Sequence, residues 1–262
     1  MNKSIGIFDS GVGGLTIMKE IIKILPDEDI AYFGDTARVP YGTKSRETIL
    51  QFAIEDILFL LGLEVKLIVI ACNTVSSTSL DIIDRYFRIP IIGVIESAVR
   101  RAVKATQKSI GIIGTRATIK SNTYNKKIRE LGSNIKVQGI SCPLFVPFAE
   151  EGIYKGKAIE DVAEKYLRPF RNKIDVLILG CTHYPLLKET IGSIVGDSIQ
   201  LIDSAEEVAK DVKNTLSRLK ILRHGKRKAR HSFFVTDEPK RFRQLGKRFL
   251  GRNIGKVENV SI

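Results

Sequence analysis

The chain has 262 residues, with 42 Lys and Arg against 29 Asp and Glu, a formal charge of +13 at neutral pH and 44% hydrophobic residues. That length and apolar content provide for one large or two modest cores and argue against a largely disordered chain. Apolar runs such as Leu67 to Cys72 fall far short of the roughly 20 residues that cross a bilayer, and three widely spaced cysteines with three histidines argue against a disulfide framework or a zinc site.

The opening Met1-Asn2-Lys3-Ser4 runs straight into Ile5-Gly6-Ile7-Phe8 with no leader-like segment, so a cytoplasmic protein is expected. In chain order, apolar and β-branched runs predict strands from Ser4 to Phe8, Ile30 to Phe33, Lys66 to Ala71 and Ile91 to Val94. Helical periodicity falls between them, over Leu15 to Ile24 and Ser45 to Leu61. The second half predicts strands from Ser109 to Ile113, Lys136 to Ile140, Val176 to Leu179 and Ile199 to Ile202, with helices over Thr118 to Leu131 and Lys157 to Phe170. A final strand, His231 to Thr236, and a helix, Lys240 to Leu250, are expected to pack back on the first half. Alternating strands and helices imply an α/β fold with mostly parallel sheets covered by helices on both faces.

The chain also repeats itself. Lys3-Ser4-Ile5-Gly6-Ile7 recurs as Lys108-Ser109-Ile110-Gly111-Ile112, and Val39-Pro40-Tyr41 as Val146-Pro147-Phe148. Leu67-Ile68-Val69-Ile70-Ala71-Cys72 is echoed by Val176-Leu177-Ile178-Leu179-Gly180-Cys181, and Ile95-Glu96-Ser97-Ala98 by Ile202-Asp203-Ser204-Ala205. Four matches in one order at nearly one offset imply a duplication. The expected architecture is two pseudo-symmetric domains, residues 1–97 with 207–262 and residues 98–206, with the active site in the cleft between them.

Cys72 and Cys181 occupy equivalent places in that duplication, each after an apolar strand and before a polar turn, where parallel sheets bind ligands. A thiol there is expected to feel the positive end of the following helix, which favours its thiolate. A lone cysteine ending a strand is more often a small buried hydrophobe. Two at equivalent positions of an approximate two-fold instead face opposite sides of anything bound between the halves. Racemisation needs that geometry, with one base taking a proton from one face of a stereocentre and an acid returning one to the other. Thiols suit both roles, because modest tuning near neutral pH gives either form.

Asp9-Ser10-Gly11-Val12-Gly13-Gly14-Leu15-Thr16 superficially resembles a nucleotide loop but puts Thr16 where the third glycine belongs, and Asp9 would repel a phosphate. A tight turn whose N–H groups and Ser10 hold a carboxylate or amine fits better, with Asp9 assisting Cys72 or binding an ammonium. An Asp-Ser helix cap is the competing reading. Other polar residues at predicted strand ends are Asp35, Tyr41 and Gly42; Asn73 and Thr74; Thr115 and Thr118; Glu150; and Thr182 and His183, donors and acceptors that would orient a small dicarboxylate.

These residues make up a recognisable set. Residues 5 to 16, Gly34-Asp-Thr-Ala-Arg-Val-Pro-Tyr-Gly42, Ala71-Cys-Asn-Thr74, Gly114-Thr115 with Ala117-Thr118, Cys142-Pro-Leu-Phe-Val-Pro147, Gly180-Cys-Thr-His-Tyr-Pro-Leu187 and Phe233-Phe-Val-Thr236 resemble the glutamate racemase family of the aspartate/glutamate racemase superfamily. The resemblance implies Cys72 as base for D-glutamate and Cys181 as base for L-glutamate, assisted by Asp9 and His183. It assigns substrate binding to Asp9, Ser10, Tyr41, Gly42, Asn73, Thr74, Thr182 and His183, and implies neither pyridoxal phosphate nor metal. A cytoplasmic homodimer that supplies D-glutamate for peptidoglycan is expected. Ser97-Ala98 stands where the family pattern has Pro-Gly, and Val75 where it has Ala; neither removes a catalytic group.

Most of the excess charge is local, with thirteen Lys and Arg against Asp237 and Glu238 between Arg218 and Arg252. Its densest run, Lys226-Arg227-Lys228-Ala229-Arg230, has no helix-turn-helix pattern and no interleaved aromatics. A solvated face is therefore expected there, rather than a surface for nucleic acid or a topoisomerase.

Overall fold

The computed structural model describes residues 3–106, 108–132, 134–223, 225 and 228–262. Met1 and Asn2 of the leader reading, and Lys226 and Arg227 of the basic run, lie outside the described residues.

The first half runs β1 (Ile5–Asp9), α1 (Leu15–Ile24), β2 (Ile30–Gly34), α2 (Arg46–Gly62), β3 (Leu67–Ile70), α3 (Asn73–Thr78), α4 (Leu80–Tyr86), β4 (Ile91–Gly93) and α5 (Ile95–Ala105). The second runs β5 (Ser109–Gly114), α6 (Arg116–Ser121), α7 (Thr123–Leu131), β6 (Lys136–Ser141), α8 (Phe145–Glu151), α9 (Lys157–Leu167), β7 (Val176–Gly180), α10 (Lys188–Val195), β8 (Gln200–Ile202) and α11 (Ala205–Arg218). β9 (His231–Val235), α12 (Pro239–Leu250) and β10 (Val257–Asn259) complete the chain.

The strands form two sheets, ordered β10-β9-β2-β1-β3-β4 and β6-β5-β7-β8, with parallel pairing throughout. Remove β9 and β10 and the orders coincide: the second strand, the first, the third, the fourth. The duplication read from short sequence matches is therefore a duplication of topology. Register carries it further, since Ile5 to Phe8 pair with Leu67 to Ile70 and Ile110 to Gly114 with Val176 to Gly180.

Parallel strands connected by helices must be covered on both faces, which is why β1, β2, β3, β5 and β7 are buried along their whole length. One outer core, which includes Ile49, Ala53, Ile57 and Leu60 of α2, covers the first sheet. A second, with Phe145, Ile159, Leu167 and Ile191, covers the other sheet. The third is shared: α1, α5, α11 and α12 contribute apolar residues to one cluster that runs from Ile7 and Val69 of the first sheet to Ile112 and Ile178 of the second. The two α/β domains thus meet over a common apolar seam.

Two helices differ from the sequence reading. The helix predicted over Thr118 to Leu131 starts earlier, at Arg116, because the Thr115 side chain accepts from Thr118 N at 3.2 Å. It also breaks at Asn122, which adopts φ 60, a left-handed conformation that asparagine tolerates. The helix predicted to reach Phe170 ends at Leu167, and a 3-10 turn with Pro169 near its start covers Arg168–Phe170.

Candidate active site

The C-terminal ends of β1 and β3 face those of β5 and β7, and the polar candidates converge there. Cys72 is the cap residue of α3, whose six residues are all buried, Asn73 and Thr74 among them. Cys181 follows β7, but a 3-10 turn, Tyr184–Leu187, precedes α10, so this thiol does not sit on an α-helix N-terminus as its sequence context suggested. Cys72 is 5% exposed and Cys181 7%. A charge on Cys181 raises the Cys72 pKa, so the two sulfurs lie within electrostatic reach of one another across the interface.

Each thiol has its own escort. Cys72 Sγ lies 3.9 Å from Ser10 Oγ. Asp9 is fully buried; its Oδ2 accepts from Gly11 N at 3.2 Å, while Oδ1 is buried without a hydrogen-bond partner. Burial pushes the Asp9 carboxyl up, and the His183 charge and the N–H groups of Gly14 and Gly11 only partly offset this. On the other side, Cys181 Sγ lies 3.8 Å from His183 Nδ1, and His183 Nε2 donates to Glu150 Oε1 at 3.1 Å. Burial opposes a charge on His183, but its hydrogen bonds to Cys181 and Glu150 outweigh that and raise its pKa to about 10. Burial likewise opposes ionisation of Glu150, and His183 holds its carboxyl below the ordinary value.

The thiolate expected of Cys72 from its helix end is not what the surroundings favour. Burial, reinforced by the Asp9 charge, pushes this thiol up to about 12, and the Val75 N–H of α3 offsets only part of that. A six-residue helix end supplies too little potential to recover the lost hydration of a buried anion.

The halves touch closely around these groups. A Cβ on Gly13 would stand 2.2 Å from Thr182 Oγ1 and 2.6 Å from His183 Nδ1, and one on Gly42 would stand 2.5 Å from Thr115 Cβ. Only glycine permits either approach. Thr74, Thr115 and Thr118 form a hydroxyl cluster across the same seam, with Oγ1 separations of 2.9, 3.0 and 3.5 Å. Asn73 Oδ1 accepts from Tyr124 OH at 2.7 Å, and Thr16 Oγ1 donates to the Thr182 carbonyl at 3.3 Å.

Of the residues singled out in the sequence, Asp9, Ser10, Cys72, Asn73, Thr74, Thr115, Thr118, Glu150, Cys181, Thr182 and His183 thus gather at one interface. Asp9-Ser10 do not cap α1, whose cap is Gly14 with no side-chain bond. Tyr41 and Gly42 part company: Gly42 abuts Thr115, whereas the Tyr41 phenol turns away to Asp35 and Asp56. Asp35 belongs to that second cluster, with Arg38, Glu55 and Thr236. Cys142 is fully buried in the outer core of the second domain, where burial pushes its thiol up. Sequence reasoning missed Tyr32, whose buried hydroxyl donates to the Gly11 carbonyl at 2.8 Å beneath the Asp9 loop, as well as Tyr124 and Thr16. Tyr32 and Thr16 sit in apolar runs and Tyr124 in a polar helical stretch, and in each case the hydroxyl is the only signal. Among the described residues, no group of three or more His, Cys, Asp and Glu is placed to hold a metal ion, and no helix is long and apolar enough to cross a membrane.

A duplicated parallel α/β fold with a thiol from each half at the seam is the architecture of a class of amino-acid racemases. The Asp/Glu/Hydantoin racemase family model matches residues 5–212. A glutamate racemase from Geobacter metallireducens is 48% identical over 262 residues, covering 99% of this chain and 97% of its own. Among solved structures, the Francisella tularensis glutamate racemase in complex with D-glutamate superposes with a TM-score of 0.94 at 45% identity, over 99% of this chain and 98% of that one. The Bacillus anthracis glutamate racemase isoform gives 0.95 at 39% identity, over 99% and 98%. The chain therefore belongs to the Asp/Glu/Hydantoin racemase family and, within it, to the glutamate racemases.

Proposed function

We propose that this protein interconverts L- and D-glutamate by moving protons at Cα between Cys72 and Cys181, with no cofactor. The observation that carries the reading is the pair of buried thiols at equivalent ends of two sheets that share one four-strand order, one beside Asp9 and the other beside His183. In the L-to-D direction, Cys181 takes the Cα proton on one face and Cys72 returns a proton to the opposite face. A Cys72 thiol pushed up to about 12 suits the donor role, because it enters the reaction protonated. His183, positively charged between Cys181 and Glu150, is the electrostatic complement of the base on its side. The reverse reaction starts from the opposite assignment of the one shared proton.

Asp9 Oδ1, a buried acceptor without a partner, suits the substrate ammonium. The hydroxyls and amides of Ser10, Asn73, Thr74, Thr115, Thr118 and Thr182, with the backbone around Tyr41-Gly42, would hold the two carboxylates. Positioned proton transfer supplies about 10²–10⁴-fold; the remainder must come from fixed donors that stabilise the carbanion-like transition state and from exclusion of water. Both thiols, Asp9 and His183 are buried, so glutamate enters when the two halves part. We place the boundary between them at 1–97 with 207–262 and 98–206, and read the protein as a cytoplasmic homodimer whose product supplies peptidoglycan synthesis, on the family resemblance.

The test is incorporation of solvent deuterium at Cα of each enantiomer. Cys72→Ala and Cys181→Ala should each abolish racemisation, and wild-type turnover of glutamate should exceed that of aspartate. Retained racemisation by either variant would remove the two-thiol mechanism, and faster turnover of aspartate would reassign the substrate.

A further inference from the structure

The proposed reaction makes no use of the excess positive charge, and the fold arranges that charge in a way the sequence did not reveal. α12 carries Lys240, Arg241, Arg243, Lys247 and Arg248 and no acid. Its apolar side is fully committed, with Phe242, Gly246, Phe249 and Leu250 buried. The cations divide between two flanks. Arg241 pairs with Glu151 and Arg248 lies against Gly152, so these two face the second domain. Lys240, Arg243 and Lys247 instead line an open groove of about 400 Å³ with Gln244, Asn253 and Ile254.

Positions 240, 243 and 247 recur on one side of a helix, so their side chains stand in a row about 10 Å long. Exposed Arg252 follows just past the helix end, and Lys19 reaches the same end, close to Gly251. Among the described residues Arg241 is the only α12 cation in an ion pair; Arg243 instead donates to the Ile254 carbonyl at 3.1 Å, which fixes the wall of the groove. A row of uncompensated cations on a rigid helix is complementary to a chain of regularly spaced negative charges.

The geometry points to this α12 groove as a docking surface for the phosphate backbone of a nucleic-acid duplex, bound without regard to base sequence. A membrane surface fits less well, because interfacial helices insert apolar side chains. Here the apolar residues of α12 are buried and Ile254, in the groove, is 2% exposed. A single strand also fits less well: none of the groove residues is aromatic, so unpaired bases have nothing to stack on.

Binding of a labelled mixed-sequence DNA duplex of about 20 base pairs, followed by fluorescence anisotropy, tests the assignment. Contacts from Lys240, Arg243, Lys247 and Arg252 to four phosphates give a salt slope of about −3.6, a loss of about 150-fold in affinity between about 50 and 200 mM salt. The double variant Lys240→Glu and Lys247→Glu should bind about tenfold more weakly or worse and lower the slope by about 2. Its thermal unfolding midpoint should match wild type, because both side chains are exposed. The control Lys104→Glu and Lys157→Glu makes the same change in net charge at exposed sites elsewhere and should leave binding nearly intact. Absent duplex binding at low salt, equal weakening by the control pair, or tighter binding to anionic phospholipid vesicles than to the duplex would each overturn the proposal.

Discussion

Replacing Gly13 with alanine changes one atom where the two halves of the molecule meet. Gly13 is not among the glycines with positive φ, so the local backbone accepts alanine without strain. The new Cβ, however, would fall 2.2 Å from Thr182 Oγ1, 2.6 Å from His183 Nδ1 and 2.7 Å from His183 Cε1. Ordinary contact needs about 3.4 Å, so the Asp9–Gly14 loop and the Cys181–His183 turn must separate by about 1 Å. That displacement falls directly on the distance between the two proposed bases. Misplacement of reacting groups by this much costs about 10²-fold in rate, whereas overpacking at such a contact costs folding only about 1–3 kcal/mol. Gly13→Ala should therefore lose about 10²-fold in kcat/KM while remaining folded, with a midpoint lowered by several degrees. Because the enantiomers have equal free energy, the loss must be the same in both directions, which polarimetry with either enantiomer can check. Gly62→Ala, with open space around its Cβ, is the companion and should be nearly silent. Activity of Gly13→Ala within about threefold of wild type would refute the claim that interdomain spacing sets the rate.

Two further outcomes follow from the charges around each thiol. Glu150→Gln should lower the His183 pKa from about 10 toward its ordinary 6.5. A raised folded-state pKa contributes stability that is complete below about 6.5 and disappears as pH rises through about 10, so the wild-type advantage in urea unfolding should be largest in mild acid and vanish in base; a pH-independent difference would mean the pair is not ionic. In a variant that retains Cys72 as its single cysteine, ultraviolet absorbance should detect little thiolate at pH 9 and a rise toward about 12. Asp9→Asn should move that titration down by removing a nearby negative charge, although burial keeps it above an ordinary thiol. A thiolate already formed at neutral pH would contradict the donor role given to Cys72.

Most of the strands were legible because parallel strands buried on both faces leave unbroken apolar runs in the chain, as in Leu67 to Ile70 and Val176 to Gly180. Their ends were less so. Pairing continues through Asp9, Gly34 and Gly180, residues that break the apolar run but not the ladder. Asn122 was hidden for a related reason: helical periodicity survives a single left-handed residue, so α6 and α7 read as one element. At the site, the repeat placed Cys72 and Cys181 in equivalent positions, and short polar motifs supplied Asp9, Asn73, Thr74, Thr182 and His183. Tyr32, in an apolar strand, and Tyr124, in a polar helix, were invisible because a hydroxyl by itself gives no hint of the carbonyl or amide it will meet.

What the amino-acid order determined by itself was periodicity and repetition: two sets of buried strands, a cysteine at the end of the third strand of each, and an uneven distribution of charge. Both properties are local, since they depend on spacing along one chain. Protonation and approach were decided only in three dimensions. Burial beside Asp9 raised a thiol that its helix end was expected to ionise, Glu150 came from 33 positions away to charge His183, and the absence of a side chain on Gly13 let the two halves close. Hydration, Coulomb interaction and steric contact depend on distances through space, and those distances arise only when the two sheets are packed against one another.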